Sequence, residues 1–176
     1  MKNFKIEPLI IEDATDLCRF MVSNTDRFKR YLPKTLAQNG TPTDSEAYIR
    51  RKNWEADEKE EFTFTIKDNT SGNIIGIIIL KDLDWVRKKG ELAYCIDKNW
   101  EGNGVMTEVV KSISTHAFSD LELRILQIIV YKSNKGSLKV AEKAGFTWQK
   151  TLYNEHTPPN EPPLDMELFE LKTPKA

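Results

Sequence analysis

The chain has 176 residues, with 26 Lys and Arg against 27 Asp and Glu and a formal net charge of −1. That length supports one domain with a core of its own, and a near-zero balance of interspersed charges excludes a nucleic-acid binder held mainly by phosphate contacts. No apolar run approaches the roughly 20 residues of a membrane span, the first residues lack the apolar centre of a signal peptide, and two cysteines without metal-type spacing, Cys18 and Cys95, fit a reducing cytoplasm.

After a strand-like N-terminus, residues 13–23 place Ala14, Leu17, Cys18, Phe20 and Met21 at helical spacing, with Asp13 as the expected N-cap. A second helix is expected from Thr43-Asp44-Ser45 through Ala47, Tyr48, Ile49 and Trp54, with Pro42 just ahead of it. The period then becomes two. Phe62, Phe64 and Ile66 alternate with Thr63 and Thr65, the pattern of a half-buried strand. Asp68 to Asn73 reads as a turn, and Ile74 to Leu80 is apolar enough for a strand covered on both faces. A turn at Arg87-Lys88-Lys89-Gly90 leads to a strand from Glu91 to Ile96, with Leu92, Tyr94 and Ile96 on one face.

Asn99-Trp100-Glu101-Gly102-Asn103-Gly104-Val105-Met106-Thr107-Glu108 is the most informative segment. A glycine pair between a strand and a helix lets the backbone turn tightly and approach a ligand closely. The helix that follows adds unsatisfied N–H groups and the positive end of its dipole, the chemistry of a phosphate site. That helix carries Val105, Val109 and Ile113 on one stripe; a strand over Ile125 to Tyr131 follows, then a helix over 134–144 that ends at Gly145, with Phe146 folding back on Val140 or Ala141. A loop containing Pro158, Pro159, Pro162 and Pro163 precedes a last strand over Asp165 to Leu171. The order implies α/β (α+β) architecture around one sheet in a single domain over residues 1–176. His116 and His156 have no evident metal partners, so neither a metal nor a metal site is expected.

Three ordered blocks resemble the GNAT N-acetyltransferase superfamily, and within it the RimJ/RimL-like branch that acetylates N-termini of ribosomal proteins. They are Asn24 to Pro33; Gly90 to Asp97 with the glycine loop and Met106-Thr107-Glu108; and Asn134-Lys135-Gly136-Ser137 with Ala141 to Phe146. The resemblance implies a twisted, mixed but mostly antiparallel sheet flanked by helices, and acetyl-CoA as cosubstrate without a metal. It implies cofactor contacts at Tyr94, Cys95, Ile96, Asn99, Gly102, Asn103, Gly104, Val105, Met106, Thr107, Asn134 and Lys139. Asn99 and Asn103 depart from the family pattern, which usually has Gln or Arg at the first position and often a base at the second, so diphosphate binding would lean on backbone amides. Glu101 would repel the phosphates unless it points outward.

Acetyl transfer needs a neutral amine, donors for the oxyanion and help for the leaving thiolate. An α-amine has a pKa near ~8 against ~10.4 for lysine, so a modest base suffices, and the resemblance points to Glu91; the other reading is a strand-end glutamate balancing Lys88 or Lys89. The oxyanion donor is expected from an N–H of the strand Tyr94 to Asp97, freed where that strand splays from its neighbour. Ser137 is the expected helper of the thiolate, or else simply begins its helix, with Tyr131 and Tyr153 as alternatives better suited to packing. Asn134 suits the pantetheine arm, and as an N-cap needs no ligand. Phe28, Tyr31 and Leu32, with Trp54 and Trp85, are candidates for an aromatic wall over the acceptor, or for core. The acidic run Glu55 to Glu61 is either a rim for a cationic acceptor or a solvated helix end.

These residues imply a cytoplasmic N-acetyltransferase acting on a protein or peptide N-terminal amine, with no direct nucleic-acid or membrane partner and with homodimer formation left open. The alternatives are a small-amine acetyltransferase for a polyamine or amino sugar, and a CoA-binding or partner-binding domain without turnover.

Overall fold

Ile74–Asp84 (β3) is the strand around which the rest is arranged: Ile74 to Leu80 are all buried, because helices cover both of its faces. In this computed structural model, which describes residues 3–173, β3 sits third in a seven-stranded sheet. The others are β1 (Phe4–Pro8), β2 (Phe62–Asp68), β4 (Lys89–Ile96), β5 (Ile125–Tyr131), β6 (Thr147–His156) and β7 (Leu164–Lys172). Their order is β1-β2-β3-β4-β5-β7-β6, antiparallel except for β4 and β5.

Helices α1 (Ala14–Ser23) and α4 (Pro42–Asp57) pack on one face, where Leu17, Phe20, Met21, Tyr48 and Ile49 meet Ile77, Ile79 and Cys95. On the other face α5 (Val105–Ser119) and α6 (Lys135–Lys143) close a core of Val109, Val110, Ile113 and Ala141 with Ile78, Leu80, Leu92, Leu126, Ile128 and Val130. Successive strand residues point to opposite faces, so Leu92, Tyr94 and Ile96 do share a face, as their spacing implied, while Glu91, Ala93 and Cys95 share the other. No helix among the described residues is long and apolar enough to cross a membrane.

Several local expectations need correction. Asp13 does not cap α1 with its side chain; its Oδ2 accepts from Ile10 N–H at 3.2 Å and its Oδ1 pairs with Lys67 at 2.7 Å. Thr41 caps α4 instead, accepting from Asp44 N–H at 3.1 Å, and Pro42 is inside the first turn, where its missing N–H costs nothing. In β2 both faces are covered rather than one: Ile66 is buried in the α5 core with Phe62 and Phe64 partly buried beside it, while Thr63, Thr65 and Lys67 are buried under α1 and α4, where Asp13 and Glu7 neutralise Lys67. Two short helices, α2 (Thr25–Phe28) and α3 (Pro33–Ala37), fill the α1–α4 connection. The stretch before the prolines is the edge strand β6, exposed on both faces for most of its length, which leaves no apolar periodicity to read. Tyr153 lies on it at 77% exposure and packs against nothing that would bury it. The end of α6 is as expected: Gly145 at φ +93° lets Phe146 N–H reach Ala141 O and its own N–H reach Glu142 O, both at 3.0 Å.

Candidate active site

The parallel pair β4–β5 is joined at one end only. Lys89, Gly90 and Glu91 pair with Ile125, Leu126 and Gln127, and then the strands part, although β5 stays paired with β7 as far as Tyr131. The direction of the freed amides follows from one bond. Asp97 N–H donates to Ile75 O on the β3 side at 2.7 Å, so strand alternation turns Cys95 and Ala93 N–H to β3 and aims those of Tyr94 and Ile96 into the gap. The gap opens at the C-terminal ends of two parallel strands, where open α/β sheets place their ligands.

The loop after β4 delivers α5 to the same end. Gly102 and Gly104 have φ of +76° and +79°, conformations that L side chains rarely adopt, and a Cβ at either position would meet nothing within 4 Å. Gly104 is the N-cap and offers no side chain. Glu108 N–H makes the first bond back to Gly104 O at 3.1 Å, which leaves the amides of Val105, Met106 and Thr107 facing out of the helix end. The side chains of Val105 and Met106 are buried in the α5 core; only their main chain faces the loop. Asn99 and Asn103 are exposed, and Asn99 N–H donates to Asp97 Oδ1 at 2.9 Å.

Arg27 on α2 fixes this loop. Its Nη1 donates to Ile96 O and to Asn24 Oδ1, each at 2.9 Å, and it pairs with Glu101, which turns that carboxylate toward a cation. Buried Asn24 donates in turn to Asp97 Oδ2 at 3.0 Å. Burial pushes the Asp97 carboxyl up, but the Asn24 and Asn99 donors, with Arg27 near, hold it below its ordinary value.

Across the gap, Asn134 caps α6 through its Oδ1, which accepts from Ser137 N–H at 3.2 Å; its Nδ2 has no partner among the described residues. Tyr94 OH donates to Ser137 O at 3.3 Å, bridging β4 to α6, and burial pushes this phenol well above its ordinary value. Ser137 thus has its N–H and C=O engaged and its hydroxyl without a partner among the described residues. Lys139 is exposed on α6.

Glu91 stands on the opposite face at the point where the strands part. Its partner is neither Lys88 nor Lys89 but Lys81, facing it across β3 at 3.0 Å. Burial pushes the Glu91 carboxyl above its ordinary value, more than Lys81 pulls it down. Burial also pulls Lys81 down, but Glu91 and Asp82 outweigh it and keep the amine charged.

The acceptor-wall residues separate. Phe28 is core, 4% exposed, its ring 5.4 Å from Phe20, so it forms no pocket wall. Leu32 packs partly buried against the same core. Trp85 sits in the β3–β4 turn with its indole N–H on Lys59 O at 3.0 Å, beside the α4–β2 turn rather than Tyr31, and Trp54 is exposed on α4. Lys52 draws Glu55 and Glu61 of the acidic run together at 2.7 and 2.5 Å. Cys95 turns its side chain into the α1–α4 core and its amide to β3, and burial pushes the thiol up to about 12. Tyr31 alone of these flanks the gap: its ring lies 6.4 Å from Tyr131 and 6.2 Å from His156. Arg30 lies over Tyr31 and Tyr131 and pairs with Glu161 of the β6–β7 loop at 2.7 Å, while His156 Nε2 reaches Arg30 O at 2.8 Å. This clasp was not legible in the sequence, since it joins residues 126 and 131 positions apart. Among the described residues no group of three or more His, Cys, Asp or Glu is placed to hold a metal.

The model of the acetyltransferase (GNAT) domain matches residues 3–147. The chain belongs to the GNAT acetyltransferase family. Among curated proteins it is 29% identical over 145 residues to the Bacillus subtilis protein named "Putative ribosomal N-acetyltransferase YdaF", covering 82% of this chain and 78% of that one. Among solved structures, the ribosomal-protein-S5-alanine acetyltransferase of Vibrio fischeri superposes with a TM-score of 0.91 at 18% identity, over 98% of this chain and 94% of that one. The microcin C7 self-immunity acetyltransferase MccE, solved with acetyl-CoA and AMP, superposes with a TM-score of 0.87 at 18% identity, over 98% and 94%. These structural likenesses establish the GNAT fold, and the family establishes an N-acetyltransferase.

Proposed function

We propose that this GNAT enzyme transfers the acetyl group of acetyl-CoA to a primary amine, and that its acceptor is the N-terminal α-amine of a protein or peptide of the ribosomal type. The reaction would then belong to the cytoplasm. The observation that carries the reading is the joint placement of the β4–β5 gap, with the Tyr94 and Ile96 N–H groups aimed into it, and the bare N-terminus of α5. The gap suits the amide-rich pantetheine arm, which Asn134 Nδ2 could also bond; the amides of residues 105–107 suit the diphosphate.

In this reading the amine nitrogen attacks the thioester carbonyl carbon, and a freed β4 amide stabilises the oxyanion. The C–S bond then breaks, the thiolate leaves with the electron pair, and the nitrogen's proton passes to Glu91 directly or through water. Ser137 Oγ donates to the departing sulfur, which needs little help because a thiol pKa is near ~8.5. The raised Glu91 carboxyl is better matched to an α-amine than an ordinary glutamate. At neutral pH roughly a tenth of α-amines are already neutral. The resemblance of the Asn24 to Pro33 block and the YdaF likeness support the protein acceptor.

The test is thiol release from acetyl-CoA with a panel of N-terminal peptides, polyamines and amino sugars, with mass spectrometry locating the acetyl group. Acetylation at peptide α-amines supports the proposal. Turnover with small amines alone removes the protein acceptor, and no amine-dependent release removes the activity.

A further inference from the structure

Four side chains form a row across four adjacent strands on the face away from α5 and α6: Lys81 on β3, Glu91 on β4, Gln127 on β5 and Glu170 on β7. Their sequence neighbours Leu80, Leu92, Leu126, Ile128 and Phe169 all point into the α5 core, which fixes the row on the other face. The outer members are engaged within the row: Lys81 with Glu91 at 3.0 Å, and Gln127 Nε2 with Glu170 Oε1 at 2.7 Å. Glu91 and Glu170 are each 16% exposed, so neither is an ordinary solvated carboxylate.

The centre of the row has a chemical imbalance. An ionised carboxylate only accepts, so Glu170 obliges the Gln127 amide to turn its NH₂ toward β7. The amide oxygen is then turned away from β7, toward Glu91 one strand spacing of about 4.8 Å away. No described residue donates to that oxygen. Two acceptor groups thus flank the point where β4 and β5 part, and α1 and α4 cover β2 and β3 on this face rather than β5.

We propose that Gln127 Oε1 and Glu91 together seat the acceptor nitrogen, with Glu170 as the positioning residue that holds the Gln127 amide in the required orientation; this rests on the acetyl-transfer reading above. A neutral primary amine has two N–H bonds and one lone pair. One N–H points to Glu91, which receives that proton as the C–N bond forms and the C–S bond breaks. The other is accepted by Gln127 Oε1, and the lone pair is left directed at the acyl carbon. A hydroxyl has a single hydrogen and leaves one of the two acceptors unpaired, so the seat selects N- over O-acetylation.

The experiment measures steady-state kinetics of Gln127→Met and Glu170→Gln with the best peptide of the panel, together with direct binding of acetyl-CoA. Gln127→Met is expected to raise the amine KM about tenfold while the acetyl-CoA KM and Kd stay within about twofold. Glu170→Gln, which lets the amide face either way, should give a smaller rise in the same parameter, and neither variant should move the acid limb of the pH profile. A merely structural staple between β5 and β7 predicts a lower Tm with no selective change in amine KM, and that result overturns the proposal. If Gln127→Met does not fold, Glu170→Gln alone decides between these outcomes. A wild-type enzyme without amine-dependent turnover sinks the acetyl-transfer reading itself; turnover with an unchanged amine KM in the variants sinks only the seat.

Discussion

Gly104→Ala separates backbone strain from ligand contact. At φ +79° and ψ −3° the residue is left-handed, and alanine there costs about 1–2 kcal/mol of stability. The structure adds no clash, because nothing lies within 4 Å of the new Cβ. That open space adjoins the amides of residues 105–107, where a bound diphosphate would lie. A methyl group there would displace the phosphates from one charge-assisted bond, worth about 1.5–3 kcal/mol, so acetyl-CoA affinity should fall roughly 10- to 150-fold. Gly72 in the β2–β3 turn is a matched control, with φ +74° and equally open surroundings. Gly72→Ala should lower Tm similarly and leave affinity untouched. Calorimetric titration of acetyl-CoA into both variants, with Tm measured in parallel, reads the two effects apart. If Gly104→Ala lowers Tm and still binds acetyl-CoA as the wild type does, no diphosphate sits on this helix end.

Glu91→Gln should lower kcat by about 10²-fold at neutral pH, the low end for a general base, and should remove the acid limb that a glutamate base gives the pH–kcat profile; an unchanged acid limb contradicts the base role. The same substitution tests linkage. A carboxyl whose folded pKa is raised binds its proton more tightly folded than unfolded, so its contribution to stability falls as pH rises from its unfolded value through the folded one. Glu91→Gln should therefore leave Tm at neutral pH unchanged or higher, read by scanning calorimetry at pH 4 and pH 7. Phe28→Ala should cost about 3–5 kcal/mol of stability, as for a core aromatic, measured by urea unfolding; a change confined to amine KM would restore it to the acceptor wall. Arg30→Ala should change Tm little, since its pairing with Glu161 is partly solvent-exposed, yet should speed amide exchange in the 157–163 loop. Unchanged exchange there would show that the clasp does not hold the loop.

What the sequence disclosed follows from what was periodic or conformationally special. The apolar run of β3, the stripe of α5 and the glycine pair each leave a local signature, and each lies where its signature implied. Edge strand β6 leaves none, since neither of its faces is fully buried. Residues defined by register were equally hidden. Lys81 meets Glu91 only because β3 and β4 pair at that offset, just before the irregularity between Lys81 and Asp84; Lys88, the nearer choice along the chain, pairs with Glu122. Gln127 acquires its meaning from Glu91 on one side and Glu170 on the other, 36 and 43 positions away. Phe28 reads more readily as core than as pocket, and the placement of α2 decides it, because aromatic residues serve both.

A gap in a sheet is costly unless its loose polar groups find other partners, since an unpaired buried N–H or C=O loses about 1–3 kcal/mol. Here the gap is tied from both sides. Arg27 takes the Ile96 carbonyl, and the Tyr94 phenol reaches over to the Ser137 carbonyl. Arg30, three residues after Arg27, lies over Tyr131 at the end of β5 and is itself held by Glu161. The α2 segment therefore ties the ends of both diverging strands while keeping them apart, so the gap belongs to the fold before any ligand arrives. Among the described residues nothing accepts from the N–H groups of Tyr94 and Ile96. A ligand carrying carbonyl oxygens at matching spacing would supply the missing acceptors without rearranging the sheet, and that preorganisation is what an oxyanion donor requires.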